Sequence, residues 1–321
     1  FLNSLDFQGM LTRQKSIETA HNDTLHWIWT RPHLQFKSWL DSGNGIFWIS
    51  GKAGSGKSTI MKRLTETPNI RHSLQSQEMV SGTRRDIVIG SCFLDYKGNV
   101  LAKSAEGMLR ALLRQVVTAK PQLFQAIEPE FAQMRSSRSG VLWSLRALER
   151  FILTVVQSAT TTRFFFLVDA LDEYQGEDIV IAQIFAKIAE ECQNNLQLCV
   201  SSRPHIDFRE EFGSCHKLRM ELETQEDVRH YTNGRFQDYL KKHGSSYQVL
   251  IDEVVSNAQG LFIWVKLASN ELLRAAKRGE DIEQLRKRLN GMPQELDEFY
   301  QRILDQLDAE DRDEARAMLA M

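Results

Sequence analysis

Hydrophobic residues along the chain fall into two rhythms. Residues 46–50, 87–94, 164–168 and 196–201 are short runs, apolar almost throughout, and a weaker run spans about 216–222. Runs of that length without alternation mark strands buried on both faces. Between them apolar positions recur every three or four residues: Ile60, Met61 and Leu64; then Met108, Leu109, Leu112, Leu113, Val116 and Val117; then Leu145, Leu148, Phe151, Ile152, Val155 and Val156. Those stripes predict amphipathic helices, with Ser104 as the N-cap of the second. Strands alternating with helices predict an α/β fold, a parallel sheet between two helical layers joined by right-handed crossovers. Ligands in such folds bind at the carboxyl ends of the strands. The polar stretch 65–86, with Pro68, Gly82 and several Ser and Gln, reads as a loop or insertion, and Pro121 and Pro129 mark a break.

From Thr224 the rhythm is helical only. Patterns cover about 225–242, 247–258, 261–278, 281–290 and 294–307, and a last one starts near 309. Thr224, Gln225, Glu226 and Asp227 resemble a capping box with Asp in place of Glu. Pro293 suits the first turn of a fresh helix. Ahead of the first strand, residues 1–30 have partly helical spacing, and 33–42 read as a short helix stopped at Ser42-Gly43-Asn44-Gly45. Residues 1–30 either pack as a helix on the sheet or cover a nucleotide base; both readings stay open. The expected division is a helical linker over 1–44, an α/β domain over 45–223, a helical subdomain over 224–291 and the start of a further domain over 292–321.

Charge and composition narrow the function classes. Forty Lys and Arg nearly cancel 42 Asp and Glu, so no global field favours nucleic acid or an anionic membrane. The basic helical region Lys266, Arg274, Lys277, Arg278, Arg286, Lys287 and Arg288 lacks interleaved aromatics and reads as a solvated face, with Phe262 and Trp264 in the core. The run Phe164–Val168 is far too short to span a bilayer, and no cationic leader is visible. Cys92, Cys192, Cys199 and Cys215 have neither paired nor metal-like spacing and read as reduced thiols, which points to the cytoplasm. The chain opens on Phe1 and stops inside a helical pattern at Met321, the expectation being a segment of a longer protein.

Three polar motifs follow strand ends. The first is Gly51, Lys52, Ala53, Gly54, Ser55, Gly56, Lys57, Ser58 and Thr59, which holds G-x-x-x-x-G-K-[ST] between a strand and a helix. Its glycines let backbone N–H groups turn inward on phosphates, at a helix N-terminus that favours an anion. Lys57 is placed for the β- and γ-phosphates and the Ser58 hydroxyl for Mg²⁺. The second motif is Asp169-Ala170-Leu171-Asp172-Glu173. Asp169, fixed by a buried strand, is expected to hold Mg²⁺ opposite Ser58. A carboxylate three or four residues on can polarise the attacking water; Glu173, with the longer reach, is preferred to Asp172. The third motif is Ser201-Ser202-Arg203-Pro204, whose guanidinium is expected to sense the γ-phosphate rather than sit as a bare loop arginine. No guanine-reading Asn/Thr-Lys-x-Asp appears, so ATP is preferred to GTP.

Together these residues resemble the NACHT family of signalling NTPases within the STAND class. They are most similar to the fungal NLR-like group, whose NACHT domain is also described as nephrocystin-3-like at its N-terminus. The discriminating feature is Asp169-Ala170-Leu171-Asp172-Glu173, beside the phosphate loop and a sensor-like Ser201-Ser202-Arg203-Pro204; Met10-Leu11-Thr12-Arg13, Thr24 and Trp27 look like the linker that precedes this domain in fungal members. The resemblance implies a P-loop NTPase with ATP or ADP and Mg²⁺ as cofactors. Its catalytic set would be Lys57, Asp169, Asp172, Glu173 and Arg203, with metal ligands Ser58 and Asp169. It implies slow hydrolysis that controls opening and self-association, with an effector domain and a ligand-sensing C-terminal domain outside this chain. Two departures stand out. Gly260-Leu261-Phe262 lacks the Pro that touches the base in many relatives, and the winged-helix His that often binds ADP would lie beyond residue 321. The alternative is an AAA+-like remodelling motor, for which neither an arginine finger nor a pore loop is found.

Overall fold

The computed structural model describes residues 1–21, 24–82, 85–136 and 141–305. Five strands, β1 Gly45–Ser50, β2 Asp86–Phe93, β3 Thr162–Asp169, β4 Leu196–Ser202 and β5 His216–Arg219, form one sheet in the order β2-β3-β4-β1-β5. Every pairing is parallel, as the uninterrupted apolar runs require. All residues of β3 and β4 are buried. The fold is therefore α/β, a parallel sheet covered by helices, with a helical region after it.

The helices of the sheet follow from their stripes. Lys57–Glu66 buries Ile60, Met61 and Leu64. Ala105–Ala119 is capped by Ser104, whose hydroxyl accepts the Gly107 N–H, and it buries Met108, Leu109, Leu112, Leu113, Val116 and Val117. Leu145–Ser158 is capped in the same way by Ser144.

Several expectations are corrected. The polar stretch 65–86 is no loop: Pro68–Ser81 is a 14-residue helix, with Thr67 at its N-cap and Gly82 left-handed at its end. Its buried side includes Ile70, Leu74 and Glu78 at four-residue spacing, and the third of these is an acid. Glu78 lies between Arg85, at 2.9 Å, and Arg163 at the start of β3, at 3.5 Å. A buried ion pair thus supplies what an apolar residue would have signalled. The Pro121–Pro129 break holds a short 3₁₀ helix, Pro121–Ala126, and a helix, Glu128–Arg135. The described residues of 1–30 form three short helical pieces, Leu2–Leu5, Thr12–Ser16 and Trp27–Thr30, rather than one helix. The last strand stops at Arg219, and Met220–Glu223 is already a helical turn.

The chain separates into two compact units, one of Phe1–Ala20, Leu25–Gly51 and Lys57–Arg219, the other of His21–Thr24, Lys52–Gly56 and the chain from Met220 on. The second has its own core, which includes Val228, Phe236, Leu250, Val254, Trp264, Leu272, Leu285 and Phe299. From Gln225 on, the described helices are Gln225–Arg235, Gln237–His243, Ser245–Ala258, Phe262–Lys277, Ile282–Asn290 and Leu296–Asp305. Thr224 does not cap the first of them: its hydroxyl donates to the Gly260 carbonyl at 2.7 Å. The capping box stands instead at Asp281 and Gln284. Pro293 precedes the last helix rather than opening it, and its carbonyl accepts the Trp264 indole N–H at 2.7 Å. The pattern expected from about 309 lies outside the described residues.

Candidate functional site

Sheet order decides where the three motifs meet. β4 lies between β1 and β3, so its carboxyl end separates the strand that feeds the phosphate loop from the strand that ends in Asp169. The register is in step: Ser50 pairs with Ser202 and Val168 with Val200, which sets Ser201 beside Asp169. The Gly51 N–H then continues the ladder to the Ser202 carbonyl at 3.3 Å.

The phosphate loop takes backbone shapes that its sequence demands. Gly54 has φ +72° and Gly56 φ +96°, a region that residues with a Cβ adopt at a cost of about 1–2 kcal/mol. The Ser55 hydroxyl is buried without a hydrogen-bond partner. Lys57, at the first turn of its helix, donates from Nζ to the Gly51 carbonyl at 2.7 Å.

Asp169 is completely buried. Its Oδ1 accepts the Ser201 hydroxyl at 2.5 Å, while Oδ2 has no partner. Burial pushes the carboxyl above its ordinary range, against the opposing pull of Ser201, the nearby Ser58 hydroxyl, Lys57 and Arg13. The next residue, Ala170, is left-handed at φ 62° and ψ 50°, an unusual conformation for a non-glycine residue. That twist turns the chain out of the strand and directs the following carboxylates to separate partners. Asp172 accepts the Arg203 backbone N–H at 2.9 Å and faces its Nε at 3.1 Å. Glu173 accepts the Tyr96 N–H at 2.9 Å and stands 3.9 Å from Arg13. Burial raises the Glu173 carboxyl, and the Tyr96 N–H and Arg13 partly offset that.

The first unit thus brings Gly51, Lys57, Ser58, Asp169, Asp172, Glu173 and Arg203 to the carboxyl ends of β1, β3 and β4. The two acids after Asp169 are distinguished by their contacts: Asp172 holds Arg203 in place, and Glu173 is bound to the chain following β2. A divalent cation fits the donors present. Asp169 offers a buried carboxylate oxygen without a partner beside the Ser58 hydroxyl, an oxygen pair suited to a hard ion. Sequence reasoning gave no role at the site to three contributors: Ser201, Arg13 and the Tyr96 N–H. Its place as the first hydroxyl after five buried residues of β4 is the signal that could have given Ser201 its role. The other two reach the site only through tertiary folding.

The family model described as Nephrocystin 3, N-terminal matches residues 23–203, from the linker through the sensor-like segment. No curated protein matches the sequence. Among solved structures, a Walker-type ATPase of Pyrococcus abyssi is similar at 13% identity and TM-score 0.44, over 85% of this chain and 73% of that one. The ORC2 protein of Aeropyrum pernix, in ADPNP–ADP complexes, is similar at 11% identity and TM-score 0.48, over 92% and 74%. With the family match covering residues 23–203, more than half of the chain, the protein belongs to the nephrocystin 3 N-terminal family of P-loop proteins.

Proposed function

We propose that this chain is an ATP- and ADP-binding switch of the NACHT/STAND class, with slow hydrolysis that resets it. The observation that carries the reading is the convergence of Lys57 and Ser58 with a buried Asp169 whose Oδ2 is without a partner, at the carboxyl edge of a parallel sheet. Loop amides and Lys57 would bind the phosphate tail, exchanging the Gly51 carbonyl for phosphate oxygens at the ammonium. Ser58 and Asp169 would hold Mg²⁺, which supplies charge neutralisation at the β- and γ-phosphates. Arg203, braced by Asp172, would respond to the third phosphate, and Glu173 would orient water once released from the Tyr96 N–H. A carboxylate held in this way supports slow rather than rapid turnover.

The finer reading is an ADP-held resting form. Exchange for ATP would favour self-association and activate an effector outside this chain, in the manner of fungal NLR-like proteins of the cytoplasm. The test is nucleotide binding by the purified chain. ATP and ADP should bind in the presence of Mg²⁺, and Lys57→Ala should abolish binding. Unchanged binding by Lys57→Ala would overturn the site. Rapid turnover stimulated by a substrate protein would overturn the switch in favour of a remodelling motor.

A further inference from the structure

We infer that Ser201 is a positioning residue for the metal-binding carboxylate: its hydroxyl occupies Asp169 Oδ1 and leaves Oδ2 as the oxygen offered to a divalent cation. The inference rests on the nucleotide reading above and goes beyond it in assigning a role to a residue outside the three motifs' charged groups.

The direction of the Ser201 proton is fixed by its neighbours. A serine hydroxyl has one proton to give and lone pairs to receive. The Ala170 N–H donates to Ser201 Oγ at 2.9 Å, and Ser201 Oγ lies 2.5 Å from Asp169 Oδ1. A backbone N–H can only donate, so the oxygen accepts from Ala170 and its proton goes to the carboxylate. Ser201 and Asp169 are both completely buried, so water cannot substitute for either bond. Ala170 itself is left-handed, so the chain leaves β3 immediately after that N–H. Two adjacent strands and one strained peptide therefore hold the carboxylate at a single oxygen, and the other oxygen has no protein partner.

Ser202 provides an internal contrast. It is equally buried, but its hydroxyl accepts the Trp48 indole N–H at 2.8 Å. Successive side chains of a strand point to opposite faces, so the two hydroxyls serve different partners. Removing Ser202 costs one buried hydrogen bond and removing Ser201 costs two, and of the pair only Ser201 touches the carboxylate.

The test compares ATP affinity in Mg²⁺ with that in EDTA for wild type, Ser201→Ala, Ser201→Thr and Ser202→Ala. Loss of a group that orients a metal ligand typically costs 10–100-fold in metal affinity. Ser201→Ala should therefore shrink the Mg²⁺-dependent gain about tenfold or more, while leaving affinity in EDTA within about twofold of wild type. Ser201→Thr keeps the hydroxyl and should restore the gain, and Ser202→Ala should retain it. If Ser201→Ala fails to fold, Ser201→Cys, close in size but a weak donor, replaces it. An unaltered Mg²⁺ gain in a folded variant would overturn the inference, as would equal losses with and without Mg²⁺ or the same loss in Ser202→Ala. Failure of the wild type to bind ATP in either buffer would instead overturn the nucleotide reading itself.

Discussion

Replacing Glu78 by Ala should destabilise the first unit by about 3 kcal/mol. Glu78 is 3% exposed and pairs with Arg163, itself 4% exposed by side chain, and with the more open Arg85. Removing one partner of a buried pair leaves the other charge uncompensated, at about 3–5 kcal/mol. The lower end applies because Arg163 keeps two hydrogen bonds, to the Gln77 side chain at 2.6 Å and the Gln197 side chain at 2.7 Å. Burial already pulls the Arg163 guanidinium below its ordinary range, and Glu78 is the main group opposing that pull. A domain of this size shifts its melting temperature about 2–4 °C per kcal/mol, so Glu78→Ala should melt about 10 °C lower. Urea denaturation of wild type, Glu78→Ala and a Glu78→Met/Arg163→Met double variant measures the effect. The double variant should recover most of the loss, because two packed apolar groups can replace a buried pair. A loss below about 1 kcal/mol in Glu78→Ala would refute the reasoning, since it would mean that water reaches Arg163.

Three further outcomes are expected. Asp172→Ala removes both acceptors of Arg203, so it should leave ADP affinity within about twofold while narrowing the preference for ATP about tenfold; paired titrations with the two nucleotides check this. At the left-handed Ala170, Gly should be neutral to slightly stabilising, whereas Val should cost about 2 kcal/mol by chemical denaturation. Burial pushes the Cys92 thiol up to about 12, with the Asp169 charge adding to the rise. A raised pKa in the folded state contributes stability that is complete below the unfolded thiol's value of about 8.5 and is lost as pH climbs towards the folded value. Melting temperature should therefore fall between about pH 9 and 11, and Cys92→Ala should flatten part of that fall.

The α/β class was legible because β3 and β4 are buried on both sides and their sequences show it without interruption. The phosphate loop and Asp169 were legible because their chemistry is local: glycines at positive φ in one case, an acid ending an apolar run in the other. The helix Pro68–Ser81 was hidden because its buried stripe includes Glu78, whose partner Arg163 is far away in sequence. Thr224 was misleading for a similar reason, since its hydroxyl serves the Gly260 carbonyl rather than the helix it precedes. The separate duties of Asp172 and Glu173 were also unreadable. Adjacent acids look interchangeable until a twisted peptide sends them to Arg203 and to the Tyr96 N–H.

The central place of β4 has a practical corollary. Any spectroscopic reporter placed at its carboxyl tip sits within one strand spacing of both Gly51 and Asp169. The spacing between those two is set by main-chain ladders on either side of β4 and not by surface segments. The tip is therefore the natural landmark from which to chart movement elsewhere in the chain.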